Sequence, residues 1–203
     1  MLSTSIHTQE LPSCIYNASG VRCTTENDLN ILSNTNVSNA VVLSKSCTLE
    51  LRSGNPQPRY WDNNILSINS SGLPNLGYEF YNNYQYKYSF GNYDKQKPYI
   101  LSLAGQKQTD NLYMIEYLNN HIAGIELNLS CPNIPGHSQI AYDFDSTEEI
   151  LRKASEIIDK KNDAFIFGIK LPPYFDQSHF KHIAEVLSDF TGKGAGGVGS
   201  RGH

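Results

Sequence analysis

Short, nearly continuous apolar segments alternate with helical patterns along this chain, and this alternation constrains the fold more than any other feature. The apolar segments predict strands over residues 40–43, 99–103, 124–129 and 165–171, with a weaker strand at 14–16. The helical patterns lie between and after them, over residues 25–33, 77–90, 109–120, 147–160 and 177–190. Strands that alternate with helices pair in parallel through right-handed crossovers, and strands covered on both faces are apolar throughout. The sequence therefore predicts an α/β fold built on a parallel sheet.

Polar residues lie at or just after the C-terminal ends of successive predicted strands. They are residues 17–20, 44–46, Gly105, 128–133 and Lys170. In a parallel barrel these strand ends meet on one face, and active sites lie there. The placement predicts one site built from loops that are distant in the sequence. The Gly-rich residues 191–203 break the pattern, because they do not readily form a sixth strand.

Local signals mark the start of two predicted helices and one interruption. Ser146 and Glu149 have the spacing of a capping box at the start of the fourth helix. Asp176 is a candidate N-cap of the fifth helix. Residues 52–75 are rich in Pro, Asn and Gly, and we expect them to form extra strands and loop over one end of the barrel.

The composition argues against several classes of partner. With 39% hydrophobic and 18% charged residues, the 203-residue chain is typical of one globular domain. Its net charge of −4 favours neither nucleic acid nor an anionic membrane as partner. No apolar run is long enough to cross a bilayer and no signal pattern is evident, so a cytoplasmic location is expected. The four cysteines form no CxxC pair and have no His at metal spacing, which predicts reduced thiols and no metal site.

The segment Asn-Leu-Ser-Cys-Pro-Asn, residues 128–133, places a thiol and two carboxamides directly after an apolar run. Pro132 ends the strand, because it has no N–H to donate. These residue types also have ordinary interpretations: a lone cysteine is more often a small buried hydrophobe, and Asn is common in turns. Lys170, at the end of an apolar strand, can likewise extend its ammonium to solvent. The motif favours a functional role for Cys131, whereas the other cysteines keep the ordinary interpretation (Cys14, Cys23 and Cys47).

Several stretches resemble the class 1A dihydroorotate dehydrogenases, cytosolic flavoenzymes of pyrimidine biosynthesis. In the order found in that family, they are residues 17–21, 44–48, 54–60, 69–78, 128–136, 139–144 and 170–175. Asn-Leu-Ser-Cys-Pro-Asn and Gly-Leu-Pro-Asn-Leu-Gly-Tyr are among the most specific. The resemblance implies a (β/α)8 TIM barrel of which about the first five β/α units lie in residues 1–190, followed by an atypical tail at 191–203. It also implies a chain that is C-terminally truncated or internally deleted relative to the family.

The reaction that the resemblance implies is the oxidation of (S)-dihydroorotate to orotate in the synthesis of UMP. A base takes the C5 proton while hydride passes from C6 to N5 of FMN, and the family's base falls on Cys131. Because a free thiol has a pKa of about 8.5, it needs help to act as a base near neutrality. Lys45 is the nearest motif cation and can favour the thiolate. The resemblance further implies fumarate as electron acceptor and a homodimer.

The resemblance assigns two sets of contacts. Substrate contacts fall on Lys45, Asn69, Ser71, Gly72, Leu73, Asn128 and Asn133. FMN contacts fall on Ala18, Ser19, Gly20, Lys45, Ser46, Asn128 and Lys170. The charge of Lys170 would stabilise the reduced flavin near its N1–C2 carbonyl. Ser71 stands where the family usually has Met, which puts a small polar side chain in place of an adaptable apolar one beside the substrate.

Two alternatives stay open. The family's later Asn-Ser substrate loop and the backbone amides that bind the FMN phosphate are not recognisable after Phe190, so weak FMN binding is expected. The chain can then be a catalytically inactive half-barrel fragment or an interaction module. The other alternative is a related flavoprotein acting on another dihydropyrimidine, which the orotate-type motif around Cys131 disfavours.

Overall fold

The computed structural model describes residues 4–6, 9–11, 13–35, 40–84, 97–130, 139–161 and 164–190. The strands in these ranges are β1 (Thr4–Ile6), β2 (Gln9–Leu11), β3 (Val42–Leu43), β4 (Tyr60–Asp62), β5 (Ser67–Asn69), β6 (Tyr99–Leu103), β7 (Gly124–Asn128) and β8 (Ile166–Lys170). The α-helices are α1 (Glu26–Asn34), α2 (Tyr78–Asn83), α3 (Gln108–Glu116), α4 (Phe144–Ile158) and α5 (Gln177–Ser188). Short 3₁₀ turns lie at Val21–Cys23 and Ile140–Tyr142. None of the helices in the described ranges has the length and apolar character needed to cross a membrane.

A four-stranded parallel sheet in the order β3, β6, β7, β8 forms the centre of the fold. It confirms the predicted α/β class and the four stronger strand predictions. On one face, alternate side chains of β6 and β7 are fully buried in an apolar cluster with residues of α3 and α4 (Leu101, Leu103, Met114, Ile115, Ile125, Leu127, Ile150 and Leu151). Burial of each such side chain contributes about 1.5–3 kcal/mol, so this helix-covered face supplies the main stabilisation of the sheet.

The other face of the sheet changes from apolar to polar along the strands. Its N-terminal end belongs to a smaller apolar cluster that includes a residue of the β1–β2 hairpin (Leu11, Ala40, Val41, Leu43, Ile100 and Ile166). One layer further along, Ser102 pairs with Glu126, and beyond them Asn128 pairs with Lys170. Since side chains alternate between the faces of a strand, these four residues share one face. Polar groups therefore gather at the C-terminal strand ends, as the sequence predicts.

The weaker strand predicted at residues 14–16 is wrong, because these residues form no strand ladder. The segment nevertheless runs beside β3, and the Ala40 N–H donates to the Ile15 carbonyl at 2.9 Å. Further on, Asn17 Oδ1 accepts from the Leu43 N–H at 3.0 Å and Asn17 Nδ2 donates to the Leu43 carbonyl at 2.7 Å. A side-chain carboxamide thus occupies the place that a peptide group would have in a neighbouring strand.

Helix α4 begins earlier than predicted, at Phe144. Its N-cap is Asp143, whose carboxylate accepts from the Ser146 N–H at 3.1 Å and from Ser146 Oγ at 2.7 Å. These hydrogen bonds lower the pKa of Asp143. The predicted capping box of Ser146 and Glu149 is therefore wrong, because Ser146 donates to the cap instead of being it. Asp176 caps α5 as predicted.

The excursion at residues 52–75 forms the predicted extra strands. β4 and β5 make an antiparallel hairpin in which Tyr60 pairs with Asn69, and all six strand residues are exposed. Two backbone hydrogen bonds of 3.0 Å between Arg52 and Asn75 close the excursion at its base. Residues 85–90 of the predicted second helix and the tail at 191–203 lie outside the described residues.

Candidate active site

The hydroxyl of Ser46, just after β3, is the centre of the polar face at the strand ends. Ser46 Oγ lies 2.9 Å from Ser19 Oγ and 2.8 Å from Ser102 Oγ. It also accepts from Asn128 Nδ2 at 3.2 Å and from Lys170 Nζ at 3.4 Å, while the Ser46 N–H donates to Ser19 Oγ at 2.7 Å. One buried hydroxyl thus joins side chains from four other segments of the chain.

The ammonium of Lys170 lies in an ion pair inside this site. Lys170 Nζ is 3.3 Å from Glu126 Oε1, and the same oxygen accepts from Ser102 Oγ at 2.8 Å. The two charged side chains are 32% and 20% exposed, less than those of the helical ion pairs on the described surface. The ammonium turns toward Glu126 and Ser46, which disfavours the alternative in which Lys170 extends to solvent. We call these six side chains the Ser46 cluster (Ser19, Ser46, Ser102, Glu126, Asn128 and Lys170).

Local hydrogen bonds fix the orientation of the Asn128 carboxamide. Asn128 Oδ1 accepts from the Ser130 N–H at 3.1 Å and from Ser130 Oγ at 2.8 Å. The amide nitrogen is thereby left to face Ser46. The Leu129 N–H donates to the Lys170 carbonyl at 3.0 Å, so the chain stays beside β8 as it leaves β7. Asn128 is therefore both a turn residue and a donor to the cluster.

The loop at 18–20 borders the Ser46 cluster and leaves open space there. A Cβ atom built on Gly20 would meet nothing nearer than the Ala18 carbonyl oxygen at 4.0 Å. The described packing therefore does not require glycine at this position, and its missing side chain leaves room beside Ser19. Gly105, at another strand end, differs: a Cβ atom there would lie 2.8 Å from Asn111 Oδ1, so packing against α3 explains that glycine.

The described cysteines contrast with one another. Burial raises the pKa of Cys23 and outweighs the opposing effects of the Gly20 amide and of the Lys45 charge, and burial likewise raises the pKa of Cys47. Both are buried free thiols, as predicted, whereas Cys14 is exposed and the prediction of a buried hydrophobe is wrong there. Half-buried Lys45 lies next to Ser46 in the sequence, and its N–H donates to the Cys23 carbonyl at 2.9 Å.

The residues assigned to the substrate at 69–73 form a loop with local hydrogen bonds. Asn69 Oδ1 accepts from the Ser71 N–H at 3.4 Å and from Ser71 Oγ at 3.0 Å. Gly72 and Leu73 have positive φ angles of 72° and 57°, of which the second is unusual for a side chain of this size. A Cβ atom at Gly72 would also lie 2.3 Å from Asn55 Oδ1, so both the backbone and the packing require glycine.

Asn75 connects this loop to the segment that carries Ser46. Its side chain is buried, and Asn75 Oδ1 accepts from the backbone N–H groups of Thr48 at 3.2 Å and of Gly77 at 2.9 Å. Its Nδ2 donates to the Leu73 carbonyl at 2.9 Å and to Thr48 Oγ1 at 3.0 Å. The strained turn at Gly72 and Leu73 is thereby held against the chain just after β3.

The structure brings four of the predicted cofactor residues into direct contact: Ser19, Ser46, Asn128 and Lys170. Cys131 and Asn133, predicted from the motif, lie outside the described residues. Sequence reasoning missed Ser102 and Glu126. Each is a polar residue inside an apolar run, and Glu126 and Asn128 share the two-residue period of one strand face, a signal that could have identified them.

Comparisons with known proteins identify relatives of this chain. A family model for "Dihydroorotate dehydrogenase" matches residues 1–193. Dihydroorotate dehydrogenase A (fumarate) of Lactococcus lactis subsp. lactis is 42% identical over 192 residues, which cover 94% of this chain and 59% of that protein. Dihydroorotate dehydrogenase (fumarate) of Trypanosoma brucei brucei is 42% identical over 196 residues, which cover 93% of this chain and 58% of that protein. The chain thus spans less than two thirds of the length of these relatives.

The fold has counterparts among solved structures. The crystal structure of DHODH from Eimeria tenella in complex with ferulenol matches 93% of this chain and 56% of its own chain, with a TM-score of 0.71 and 14% identity. The ligand-free form of the Eimeria tenella protein gives the same TM-score. At this identity the match shows the fold alone, a TIM barrel of which part is present in this chain. With the family model and the 42% identical relatives, it confirms the predicted resemblance: the chain belongs to the dihydroorotate dehydrogenase family, in its class 1A branch.

Proposed function

We propose that this chain takes part in the FMN-dependent oxidation of (S)-dihydroorotate to orotate, a step in the synthesis of UMP. The observation that carries the proposal is the meeting of Ser19, Asn128 and Lys170 on the hydroxyl of Ser46, at the C-terminal ends of parallel strands. Active sites of parallel barrels lie at these ends. The names of the relatives, which are fumarate-dependent dihydroorotate dehydrogenases, support the same reaction.

The groups of the Ser46 cluster fit the ring of a flavin. Such a ring carries carbonyl and N–H groups along one edge, which call for both donors and acceptors. Lys170 and Asn128 supply donors, Ser19 and Ser46 supply hydroxyls, and the open space at Gly20 lets a planar ring approach the backbone. The residues proposed to hold FMN are Ala18, Ser19, Gly20, Lys45, Ser46, Asn128 and Lys170.

The chemistry that bound FMN supplies is the acceptance of a hydride from C6 of the substrate. The Cys131 thiolate takes the C5 proton in the same oxidation, so that one C=C bond forms as the two C–H bonds break. Lys45 follows the C-terminal end of β3 and supplies a positive charge that favours the Cys131 thiolate. Lys170, held by Glu126, would supply a positive charge that favours the reduced form of FMN when the cofactor is bound.

The substrate ring has amide and carboxylate groups that the remaining predicted residues can match. The proposed contacts are Lys45, Asn69, Ser71, Gly72, Leu73, Asn128 and Asn133. The buried hydrogen bonds of Asn75 hold the turn that carries Gly72 and Leu73, which presents their backbone groups in one fixed conformation. A preorganised loop of this kind lowers the entropy cost of binding.

The proposal extends to the electron acceptor, the assembly and the location. Fumarate would be the electron acceptor, reduced to succinate, as the names of the relatives suggest. The enzyme acts as a homodimer in the cytoplasm, and neither nucleic acid nor a membrane is among its partners. These statements rest on the class 1A resemblance.

The exposed β4–β5 hairpin favours a second candidate function, an interaction module without catalysis. Trp61, Ile65 and Ile68 are 52%, 90% and 66% exposed. Trp61 and Ile68 are cross-strand neighbours, and contiguous exposed apolar side chains mark interaction sites, whereas singly scattered ones do not. A non-catalytic half-barrel derived from this family would keep the hairpin and have no need of turnover.

Orotate formation tests the proposed function directly. The 203-residue chain is mixed with FMN, dihydroorotate and fumarate, and the absorbance of orotate is followed. With FMN in excess to offset the weak binding expected from the sequence, we expect turnover that Cys131→Ala abolishes, since it removes the base. The matched control is Cys14→Ala, at an exposed cysteine, which leaves the rate unchanged. Equal rates for the two variants contradict the role of Cys131, and a chain without turnover favours the interaction module.

A further inference from the structure

We infer that Glu126 is a positioning residue of this site: it fixes the ammonium of Lys170 and sets the direction of the hydrogen bonds through Ser102 to Ser46. The inference rests on the proposed function, because it concerns the side chains proposed to hold the flavin. Glu126 itself is not among the residues proposed to touch cofactor or substrate. Its role is carried by its contacts on the sheet.

The place of Glu126 on β7 explains how it reaches both neighbours. In the parallel register, Glu126 lies opposite Ser102 on β6 and opposite Gly168 on β8. Because Gly168 has no side chain, the longer side chain of Lys170, two residues further along the same face, can lean back toward Glu126. Glu126 Oε1 then meets Ser102 Oγ at 2.8 Å and Lys170 Nζ at 3.3 Å.

This ion pair differs from the others that the structure describes. Lys153 pairs with Glu149, and Lys181 with Glu185, one turn apart on exposed helix surfaces. Such pairs contribute little, because water screens the charges and two mobile side chains must be ordered. Glu126 joins two strands of the sheet with its side chain 20% exposed, so its position is set by the backbone register as well as by charge.

The carboxylate also determines which way the neighbouring hydroxyls point. An ionised carboxylate accepts hydrogen bonds and cannot donate, so the single hydroxyl proton of Ser102 goes to Glu126. Ser102 Oγ must then accept from Ser46 Oγ, at 2.8 Å. Because the Ser46 hydroxyl proton points toward Ser102 Oγ, the lone pairs of Ser46 Oγ accept from Asn128 Nδ2 and Lys170 Nζ. One half-buried carboxylate thus sets the direction of the Ser102 and Ser46 hydroxyls.

The first test measures the reactivity of the Lys170 amine toward acetic anhydride, read by mass spectrometry relative to exposed Lys181. Acetic anhydride reacts with a neutral, accessible amine, and the contacts with Glu126 and Ser46 hold Lys170 Nζ away from it, so Glu126→Gln should raise the relative acylation of Lys170 by about threefold to tenfold. Glu126→Asp, which keeps the charge on a shorter side chain, should give a relative acylation of Lys170 between those of the wild type and Glu126→Gln. Glu149→Gln, the matched control, should affect Lys153 and leave Lys170 unchanged.

The second test measures FMN affinity of the same variants of the full chain by quenching of flavin fluorescence. Glu126→Gln should weaken FMN binding by about tenfold, with Glu126→Asp again between, because the ammonium is no longer fixed. Circular dichroism checks that each variant is folded. If Glu126→Gln does not fold, the Lys170 acylation and the FMN affinity of Glu126→Asp test the inference.

The outcomes separate this inference from the proposed function. Unchanged Lys170 reactivity in folded Glu126→Gln and Glu126→Asp overturns the positioning role, whatever FMN does. If a folded variant shows raised Lys170 reactivity but unchanged FMN affinity, the positioning role of Glu126 is not relevant to flavin binding, and that part of the inference is overturned. A wild-type chain that binds no FMN contradicts the proposed function, while the acylation data still decide whether Glu126 fixes Lys170.

Discussion

Replacement of Asn75 by alanine should destabilise this protein more than any exposed Asn→Ala change in the same region. The Asn75 side chain is 2% exposed and satisfies the Thr48 N–H, the Gly77 N–H and the Leu73 carbonyl. Asn75→Ala leaves all three backbone groups buried without these partners. The positive φ of Leu73 then has less support, so the turn is free to relax.

The magnitude follows from the number of groups left unpaired. A buried polar group without a partner costs about 1–3 kcal/mol, and entry of water into the space of the lost carboxamide recovers part of the total. We expect the free energy of unfolding to fall by about 3 kcal/mol. In a chain of this length, a loss of that size lowers Tm by roughly 6–12 °C.

Urea unfolding followed by circular dichroism measures this loss. Asn55→Ala is the matched control, because the Asn55 carboxamide donates to the Ser70 carbonyl at 2.9 Å and to Ser70 Oγ at 3.1 Å in a more exposed part of the same excursion. Its loss should stay below about 1 kcal/mol. A loss for Asn75→Ala no larger than that for Asn55→Ala refutes the anchoring role of Asn75.

Three further predictions concern other parts of the fold. The buried Tyr174 hydroxyl donates to the Ala141 carbonyl at 2.8 Å, and the exposed Tyr142 hydroxyl to the Pro173 carbonyl at 2.8 Å. Tyr174→Phe should therefore cost about 1 kcal/mol in urea unfolding, more than Tyr142→Phe, and the reverse order contradicts this account. Hydrogen bonds from Ser146 hold the pKa of Asp143 below its ordinary value of 3.8, so the stability that Asp143 contributes is present above that value and lost as pH falls through the lower folded pKa. Asp143→Asn should make the free energy of unfolding fall less steeply below about pH 4. An unchanged pH dependence in that range argues against the capping role of Asp143. Iodoacetamide should modify exposed Cys14 at least about tenfold faster than buried Cys23 and Cys47, whose raised pKa values keep them as thiols; equal rates in the native chain contradict the described burial.

The sequence predicted the elements whose signal is local. β6 coincides with the predicted residues 99–103, because its apolar run and its flanking residues define the strand without reference to any partner. Asp176 was likewise found as the cap of α5 from its place before an amphipathic pattern. The resemblance then assigned Ser19, Ser46 and Lys170 to one site, and the structure brings them together at the strand ends.

The wrong and missing predictions concern features that depend on contacts that the local sequence pattern does not show. The segment predicted as a strand at 14–16 runs beside β3 without a ladder, and the next pairing, with Leu43, is made by the Asn17 side chain and does not depend on periodicity. Asp143, not Ser146, is the cap of α4, because both residue types suit that role and the sequence pattern does not distinguish them. Ser102 and Glu126 were missed because their meeting requires the register between β6 and β7.

The central claim, that the Ser46 cluster holds a flavin, is tested most directly by the dissociation constant of FMN for Lys170→Met compared with Lys153→Met in the full chain. Lys170 donates to Ser46 and pairs with Glu126 inside the cluster, whereas Lys153 pairs with Glu149 on the surface of α4. Loss of a charge-assisted contact worth about 1.5–3 kcal/mol predicts FMN binding weakened at least tenfold by Lys170→Met and unchanged by Lys153→Met. Equal dissociation constants for the two folded variants contradict the claim.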